Sequence, residues 1–446
     1  MNTRPTIFAV SSGAGRAGIA VVRVSGPAAH LAIELLAGKL PPVRLATYRT
    51  FHSISGEVLI DQGLVFWFAG PQSVTGEDVA EFHVHGSPAV VGLLLSELGL
   101  IPGLKLAQAG EFSKRAFENG KMDLVEVEGL ADLLAAESEP QRRLAMRQFS
   151  GEASAVYQEW RAQLLDILAY VEASIDFADE ADVAAEAIEK IKPRLIALVA
   201  SLQEAMEKSL QASAVRSGLR IVIAGPPNVG KSSLLNGLVG RKAAIVSEIA
   251  GTTRDVIEAP ILIAGLPVSL SDTAGLRSHA DDPIEREGMA RSLSEVESAD
   301  ILVWVLGRDV AEMALPLRKP DLVVMNKCDL QDEESIQGRN ETLDLVVVEV
   351  SVRDGTGMQS LRQQLESMVL QHSSCATDAV MVRERHRTAV SESIRYLNDA
   401  HKHDGHELEL VAEDVRKAMT SLASITGRVN VEEFLGRIFQ EFCVGK

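Results

Sequence analysis

Cysteine is scarce in this sequence, which contains only Cys328, Cys375 and Cys443 among 446 residues. Three scattered thiols provide neither a disulfide framework nor the paired spacing of a zinc site. Aromatic residues are also few, at 4% of the chain, although apolar residues as a whole make up 46%. This composition is typical of a soluble globular protein with ample core material. We expect a protein of the reducing cytosol.

Long apolar runs and an excess of basic charge are missing as well. No stretch approaches the ~18 apolar residues of a membrane span, and the opening MNTRPTIFAV lacks the pattern of a signal peptide. We therefore predict a cytoplasmic protein without a membrane span. Acidic residues outnumber basic ones by 62 to 44, giving a net charge of −18. A chain this acidic has only weak non-specific affinity for nucleic acid. An RNA substrate would therefore need a local basic patch or a partner that helps to hold it.

The composition changes along the chain in a way that predicts several domains. Residues 1–118 hold short apolar or alternating runs closed by Gly, Pro and Ser, which predict strands and turns. Residues 119–215 are rich in Ala, Leu, Glu and Gln and predict long amphipathic helices. Residues 216–378 alternate β-rich runs with polar helical stretches, as in a doubly wound parallel sheet, before helical texture returns over residues 379–446. We predict a multidomain α/β + α fold, with an α/β domain inserted into a helical domain.

Two further features belong to the predicted helical ranges. The apolar positions at helical spacing are Leu164, Leu168, Val171 and Ile175, and later Phe434, Leu435, Ile438, Phe439 and Phe442. The stretch HKHDGHELE at residues 401–409 contains three histidines, which raises the question of a metal. Because no fourth ligand is evident, we predict a solvated loop there.

The first glycine motif, GAGRAG, matches the G-x-G-x-x-G pattern of dinucleotide-binding proteins through Gly13, Gly15 and Gly18. That pattern requires a helix directly after the glycines, with its N-terminus at the pyrophosphate. The sequence continues instead with IAVVRVSG, which is β-branched and predicts a strand. We therefore interpret these glycines as a hairpin and not as a dinucleotide site.

A second glycine motif, GPPNVGKSS at residues 225–233, has the context that a phosphate-binding P-loop requires. It fits G-x-x-x-x-G-K-[ST], follows the strand-like LRIVIA and precedes the helical SLLNGLVG. Backbone amides and the helix N-terminus would wrap the phosphates, Lys231 would reach the β- and γ-phosphates, and Ser232 would bind Mg²⁺. The predicted nucleotide contacts in this motif are Asn228, Val229, Gly230, Lys231, Ser232 and Ser233.

The motif NKCD, after the strand-like DLVVM, predicts that the nucleotide base is guanine. Asp329 can accept hydrogen bonds from N1–H and the exocyclic amine of guanine, a donor pair that adenine lacks. Asn326 belongs to the same motif, Lys327 would pack along the base, and Ser351, after LVVVEV, would be the last contact to the base. Together with the P-loop, this motif predicts a guanine-nucleotide domain that uses Mg²⁺.

Two stretches between these motifs correspond to the switch regions of GTPases. GTTRD, at residues 251–255, lies where switch I belongs, and Thr253 is the expected second Mg²⁺ ligand. DTAGLR, at residues 272–277, would place Asp272 near the magnesium and the Gly275 amide near the γ-phosphate. Ras-like GTPases carry a catalytic glutamine after this glycine, whereas here Leu276 can neither accept nor donate a proton. Another group must therefore orient the attacking water.

The two ends of the chain carry a family resemblance. The stretches TIFAVSSGAGRAGIAVVRVSG, GPQSVTGEDVAEFHVHGSP, AGEFSKRAFENGKMDL and the terminal GRIFQEFCVGK, with the motifs above, resemble the MnmE (TrmE) family of bacterial tRNA modification GTPases over the whole chain. The resemblance implies a homodimer with an N-terminal folate-binding-like α+β domain, a helical domain and an inserted Ras-like P-loop GTPase domain. It also implies a flavoprotein partner, MnmG, in a heterotetramer. That complex would modify C5 of the wobble uridine of certain tRNAs with an aminomethyl or carboxymethylaminomethyl group, using a tetrahydrofolate one-carbon unit.

The resemblance also implies how the GTPase manages without the glutamine. Members of this family are similar in using K⁺ to offset charge on the phosphates. In this chain the ion would be held by the Asn228 side chain and by carbonyl groups. The implied carbonyl donors are Ser247, Ile249 and Thr252. A glutamate in an E-R-x-G stretch orients the water, which makes Glu285 the expected catalytic residue beside Lys231 and Asn228, with Glu287 as the alternative. The remaining implied nucleotide contacts are Glu248, Ala250, Gly251, Thr253, Thr273, Ala274 and Gly275.

For the one-carbon unit, the resemblance implies a site formed by Arg23, Glu81, Lys121 and Lys446, with Glu81 pairing with N–H groups of the pterin. Arg23, taken alone in a strand, would also suit a structural role. Cys443 would be either a nucleophile for uridine or a packing residue of the tail, and we favour packing.

Two alternative functions fit the sequence less well than the enzyme. A GTP-switched ribosome-assembly factor should carry a basic RNA-binding module, whereas this chain carries an acidic helical range. A stand-alone aminomethyltransferase with a vestigial GTPase conflicts with the complete set of nucleotide motifs.

Overall fold

The structure is a computed structural model, and it describes most of the chain. The described residues are 4–176, 181–243, 258–272, 293–307, 318–330, 346–373, 379–403 and 407–429, with Phe442 and Gly445. The chain divides into two compact units. One unit comprises Met1–Leu134, Arg147–Val199 and Ala389–Lys446, and the other comprises Ala135–Met146 and Ala200–Thr388. The domain bounds predicted from composition group the chain differently and stay a prediction.

The first unit contains a six-stranded sheet near the start of the chain. Its strands are β1 (Thr6–Val10), β2 (Ala17–Ser25), β3 (Thr47–His52), β4 (Leu59–Phe68), β5 (Val79–Gly86) and β6 (Leu104–Leu106). The strand order is β3-β4-β5-β2-β1-β6, and all neighbours are antiparallel except β1 and β6. The glycines of GAGRAG lie at the β1–β2 hairpin, and Gly15 has a φ of +104°. The predicted hairpin is thus confirmed.

Alternation along the strands separates a core face from a site face in this sheet. In β5, Ala80, Phe82 and Val84 are buried, whereas Glu81 and His83 point to the opposite face and are only partly covered. The core face is covered by α1 (Ala29–Ala37) and α2 (Pro88–Leu100), whose buried side chains join the same apolar cluster. Functional side chains can therefore gather on the other face without disturbing the core.

Helices follow this sheet. They are α3 (Glu111–Glu118), α4 (Leu124–Ala135), α5 (Glu139–Phe149), α6 (Glu152–Asp176) and α7 (Ala181–Ser217), and later α10 (Glu384–Lys402) and α11 (Leu408–Ile425). Those after residue 118 lie where the composition predicts them, whereas α1, α2 and α3 lie in the range for which only strands and turns are predicted, so that part of the prediction is wrong. Within the first unit, α6 packs against α11. Leu164 and Val171 of α6 and Val415 of α11 are fully buried, which is the result expected from their helical spacing.

The second unit is built on a mostly parallel sheet. Its strands are β7 (Leu219–Ala224), β8 (Glu258–Ile263), β9 (Leu266–Asp272), β10 (Ile301–Gly307), β11 (Leu322–Asn326) and β12 (Val347–Glu349), and its helices include α8 (Lys231–Ala243) and α9 (Met358–Ser373). The order is β12-β11-β10-β7-β9-β8, with only β8 and β9 antiparallel. Every residue of β10 is buried, since apolar clusters cover both faces.

The predicted fold class is confirmed by these two arrangements: an α+β part, helices, and a P-loop α/β part. Among the helices of the described residues, none combines the length and apolar character needed to cross a bilayer.

Candidate nucleotide site and N-terminal pocket

The P-loop follows β7, a central strand of the second sheet, at the edge where parallel strands end. Gly225 begins the loop with a φ of +151°, and a Cβ at this position would lie 2.2 Å from the Val305 carbonyl oxygen of β10. Any side chain would therefore collide with backbone. A position between two parallel strands at their carboxyl ends is where ligands bind in open α/β sheets.

Lys231 begins α8, and the loop holds its ammonium group. Its Nζ donates hydrogen bonds to the carbonyl oxygens of Gly225 at 3.1 Å and Pro226 at 2.9 Å. The residue is only 8% exposed. Asn228, at the exposed tip of the loop, has a φ of +64°, a left-handed conformation that asparagine tolerates better than most residues. The loop therefore curls around its own lysine, with the α8 N-terminus beside it.

Asn326 joins the base-recognition motif to the P-loop. It is the last residue of β11, is 3% exposed, and its Nδ2 donates a 2.8 Å hydrogen bond to the Val229 carbonyl oxygen. Gly230 lies against the same side chain, because a Cβ there would be 2.4 Å from Asn326 Nδ2. Two motifs separated by 97 residues thus meet through one carboxamide.

The residues after Asn326 form the predicted base-binding end. Lys327 has a φ of +64°, and the next amide, of Cys328, donates to the Val350 carbonyl oxygen at 3.1 Å. Ser351 is fully buried just after β12, and its amide donates to the Thr356 carbonyl oxygen at 2.9 Å. These bonds hold the loops after β11 and β12 side by side, as two loops sharing one base would require.

Asp329 has a neighbour that the motifs do not predict. Its Oδ2 lies 3.9 Å from Nη1 of Arg353, whose side chain is 86% exposed while that of Asp329 is 20% exposed. An exposed pair at this distance contributes little to stability. The Asp329 carboxylate therefore stays available as a hydrogen-bond acceptor for a base.

Two residues expected at or beside the magnesium, Ser232 as a ligand and Asp272 near the ion, lie at the ends of neighbouring elements. Ser232 lies in the first turn of α8, and Asp272 ends β9 opposite Ile223, one residue before the end of β7. A hydroxyl and a carboxylate are ligands that Mg²⁺ accepts. These two donors therefore suit the ion, and the second expected ligand, Thr253, lies outside the described residues.

Much of the predicted switch machinery lies outside the described residues. This applies to Ser247, Glu248, Ile249, Ala250, Gly251, Thr252, Thr253, Thr273, Ala274, Gly275, Leu276, Glu285 and Glu287, and also to Cys443 and Lys446. Their predicted roles stay predictions.

A second candidate site, here called the N-terminal pocket, opens on the site face of the first sheet. Its volume is about 430 Å³, and its lining includes Arg23 of β2, Glu81 of β5 and Lys121, three residues after α3. Arg23 and Glu81 are direct cross-strand partners, and both Nε and Nη2 of Arg23 lie 2.9 Å from Oε1 of Glu81. Three of the four residues predicted for a one-carbon ligand thus share one cavity.

The charge of Glu81 is fixed by its neighbours. Burial alone raises the pKa of Glu81, but the hydrogen bond from His83 and the charge and hydrogen bond of Arg23 outweigh burial, so the pKa lies below its usual value. His83 Nε2 is 3.4 Å from the second carboxylate oxygen, and the His83 ring lies against Phe66 with centroids 4.7 Å apart. Glu81 is therefore an oriented anion at neutral pH.

The loop between β4 and β5 forms one wall of the N-terminal pocket and is held by a network of buried hydrogen bonds. Arg115 of α3, 3% exposed, donates to Glu77 Oε2 at 2.9 Å and to the Pro5 carbonyl oxygen at 2.8 Å. Ser25 donates to the same Glu77 oxygen at 2.7 Å and shares a 2.7 Å hydrogen bond with Thr75. This buried network holds the wall in one position. Its partners are far apart in sequence and were not predicted.

The pocket also contains residues that the motifs do not identify. They are Arg44, Phe68, Gln72, Ser73, Val74 and Val79. Phe68 and Val79 follow from the register of β4 and β5, in which they are direct partners. Alternation in β4 is the only sequence signal for Phe68.

The histidines do not form a metal site among the described residues, where no group of three or more His, Cys, Asp or Glu side chains could hold an ion. His85 instead pairs with Asp61, at 2.8 Å from Nδ1. His403 lies between Glu407 and Asp414, at 3.1 Å from each.

The tail returns to the first sheet. The Ser11 hydroxyl donates a 2.7 Å hydrogen bond to the Gly445 carbonyl oxygen, and a Cβ on Gly445 would lie 1.8 Å from the Val10 carbonyl oxygen. Phe442 is buried against Leu124 and Val127 of α4. Packing of the tail is therefore observed on both sides of Cys443.

A P-loop held to an N-K-x-D motif on a parallel α/β sheet defines the class of this protein: it is a P-loop GTPase. The comparisons with known proteins narrow the class. The model of the MnmE helical domain matches residues 124–443, more than half of the chain, and the model of the GTP-binding protein TrmE N-terminus matches residues 6–121. The chain therefore belongs to the MnmE (TrmE) family.

Individual relatives match along the whole chain. The tRNA modification GTPase MnmE of Parvibaculum lavamentivorans is 45% identical over 447 residues, covering 99% of this chain and 100% of the relative. That of Bradyrhizobium sp. is 44% identical and covers 99% of both. The mitochondrial 5-taurinomethyluridine-[tRNA] synthase subunit GTPB3 of Danio rerio is 43% identical, covering 99% of this chain and 93% of the relative.

Proposed function

We propose that this chain is a GTP-hydrolysing tRNA modification enzyme of the cytoplasm that works as a homodimer with the flavoprotein MnmG in a heterotetramer. The complex would add an aminomethyl or carboxymethylaminomethyl group at C5 of the wobble uridine of certain tRNAs. The observation that carries the proposal is the Asn326 hydrogen bond to the P-loop, in a chain that matches tRNA modification GTPases over 99% of its length.

In this proposal the P-loop binds GTP through its amides and Lys231. The ammonium, which donates to two loop carbonyls, would turn its protons to the β- and γ-phosphate oxygens. Ser232 and Thr253 would hold Mg²⁺, which screens the phosphate charge. Asp329 would accept the two guanine N–H groups, and the buried Ser351 would close the base pocket.

The water would be oriented by Glu285, because Leu276 cannot do so. Asn228 would hold K⁺ together with the carbonyls of Ser247, Ile249 and Thr252, and the ion would stabilise charge on the phosphates. The exposure of Asn228 at the loop tip supports this role, because its side-chain oxygen is then accessible to an ion. Replacing Na⁺ by K⁺ should raise GTP turnover and promote pairing of GTPase domains, and equal rates in the two salts would refute it.

The N-terminal pocket would bind the tetrahydrofolate one-carbon donor through Arg23, Glu81, Lys121 and Lys446. The ionised Glu81 can accept the paired N–H groups of the pterin, and Arg23 fixes its orientation through two nitrogen contacts at 2.9 Å. The residues present fit the ligand. When bound, the cofactor supplies the carbon that is transferred.

The experiment that tests the function is mass spectrometry of wobble uridines from a strain lacking this chain. Loss of the aminomethyl-type nucleosides, restored by the wild-type chain and not by Lys231→Ala, supports the proposal. Unchanged nucleosides with a ribosome-assembly defect would favour the alternative of a GTP-switched assembly factor.

A further inference from the structure

The N-terminal pocket carries more positive charge than its ion pair uses. Its ionisable lining groups are Arg23, Arg44, Lys121 and Glu81, so three cations face one carboxylate. Arg23 and Glu81 pair with each other at 2.9 Å. Within the described part of the chain, neither Arg44 nor Lys121 has an acidic side chain at ion-pair distance. In a protein of net charge −18, such a pocket attracts an anionic ligand.

Arg44 is held in place by its backbone as well as by its side chain. It has a φ of +63°, which is uncommon for a residue other than glycine. Its amide donates to the Trp67 carbonyl oxygen at 2.8 Å, and its Nη2 donates to the Gln72 carbonyl oxygen at 2.5 Å. A guanidinium group has five N–H donors in a fixed fork. Arg44 can therefore keep these contacts and still present donors to a carboxylate.

The chemical groups of the pocket follow one another along β4 and β5. Glu81 pairs with Phe66, and Phe68 lies two residues further along β4, opposite Val79. The distance along the strand from Phe66 to Phe68 is on the order of 7 Å. The Arg44 guanidinium lies over the Phe68 ring, 5.8 Å from its centre, and its Nη2 donates to Gln72, which follows β4 in the chain. The order from one end is thus an acid, an aromatic wall and a cation.

We propose that Arg44 is a specificity-determining residue that binds the glutamate carboxylates of a folate whose pterin is held at Glu81. This inference deepens the proposed one-carbon function and rests on it. The order acid, aromatic wall, cation matches the order of groups in a folate: a heterocycle with N–H donors, a benzoyl ring, and glutamate. Arg44 selects ligands that keep the glutamate over those that end at the benzoate.

The test is calorimetric titration of the full chain with two probes, 5-formyltetrahydrofolate and the 5-formyltetrahydropteroate that lacks glutamate. The wild-type chain should bind the glutamate form about tenfold more tightly, as expected for one charge-assisted contact. Arg44→Gln should remove this preference by weakening the glutamate form alone, and Arg44→Lys should retain part of it. Arg49→Gln, which removes a positive charge from β3 outside the pocket, should keep the full preference.

The results separate this inference from the proposed function. Glu81→Gln should weaken both probes equally, because it acts on the pterin that they share. Equal weakening of both probes by Arg44→Gln, or no weakening of either, in a variant with an unchanged thermal unfolding midpoint, would overturn the role of Arg44 and leave the folate site intact. A wild-type chain that binds neither probe would overturn the folate site itself and the inference with it.

Discussion

Replacing Asn326 by alanine tests how the nucleotide site is assembled. The change removes the 2.8 Å hydrogen bond to the Val229 carbonyl oxygen and leaves that oxygen without its buried partner. A neutral hydrogen bond contributes about 0.5–1.5 kcal/mol, and an unsatisfied buried acceptor costs about 1–3 kcal/mol. Because the P-loop must keep its shape to bind phosphates, most of this cost should appear as weaker binding. We expect the Kd for a fluorescent GDP analogue to rise between about fivefold and about a hundredfold.

The control is Cys328→Ala, at the variable position of the same motif, which should bind the analogue within about twofold of the wild-type chain. Thermal unfolding of each variant separates loss of the site from loss of the fold. A well-folded Asn326→Ala variant with unchanged affinity would refute the reasoning.

The clash at Gly230 gives the same contact a second test. A Cβ on Gly230 would lie 2.4 Å from Asn326 Nδ2, at a φ of +93°. Gly230→Ala should therefore lower the nucleotide affinity less in the Asn326→Ala background than in the wild-type chain. The backbone strain at Gly230 is the same in both, but the collision with the Asn326 side chain is absent from the double variant. Strict additivity in a double-mutant cycle of nucleotide affinities would contradict this geometry.

Three other predictions concern the base, pH and the tail. Asp329→Asn should weaken GTP binding and improve xanthosine triphosphate binding, because an amide can donate to the carbonyl that replaces the guanine amine; competition titrations that show unchanged preference would contradict this. Burial lowers the pKa of His403, but the hydrogen bonds that its ring donates to Asp414 and Glu407 outweigh burial and raise the pKa. The stabilisation from His403 is therefore present below the unfolded value of about 6.5 and is lost as pH rises through the folded value. His403→Gln should therefore lower the thermal unfolding midpoint at about pH 5.5 more than at about pH 8.5, and an equal loss at both would exclude this linkage. Deleting residues 443–446 should abolish tRNA modification while GTP hydrolysis continues, whereas loss of both activities would mean that the tail is structural.

The nucleotide site was predictable because its chemistry lies in short contiguous motifs. A P-loop needs its strand, glycines, lysine and helix in one stretch, and residues 219–243 provide them in that order. The motifs do not predict the hydrogen bond that connects them. Asn326 was expected to belong to the base motif, but its bond to Val229 depends on the pairing of β10 with both β7 and β11.

The N-terminal pocket was harder to predict from residues alone. Arg23 and Glu81 lie 58 positions apart, and only the register of β2 and β5 makes them partners. Their assignment came from the family resemblance, since an arginine in a strand also suits a structural role. Arg44 could not be predicted as a pocket residue, because its position depends on a left-handed backbone in a turn. No local sequence pattern around Arg44 indicates that conformation. The helices α1, α2 and α3 were not predicted either, because the strand and turn signals around them dominate residues 1–118.

The central claim is that GTP hydrolysis at Lys231 and one-carbon chemistry in the pocket of Glu81 serve one reaction on tRNA. The most direct measurement is a reconstituted assay with the purified chain, the flavoprotein, unmodified tRNA, a tetrahydrofolate one-carbon donor, GTP and K⁺, in which phosphate release and modified wobble uridine are both quantified. We predict that Lys231→Ala loses both products, and that Glu81→Gln loses only the modified nucleoside while it hydrolyses GTP at the wild-type rate. Wild-type yields of modified uridine from a Lys231→Ala chain that releases no phosphate would contradict the account.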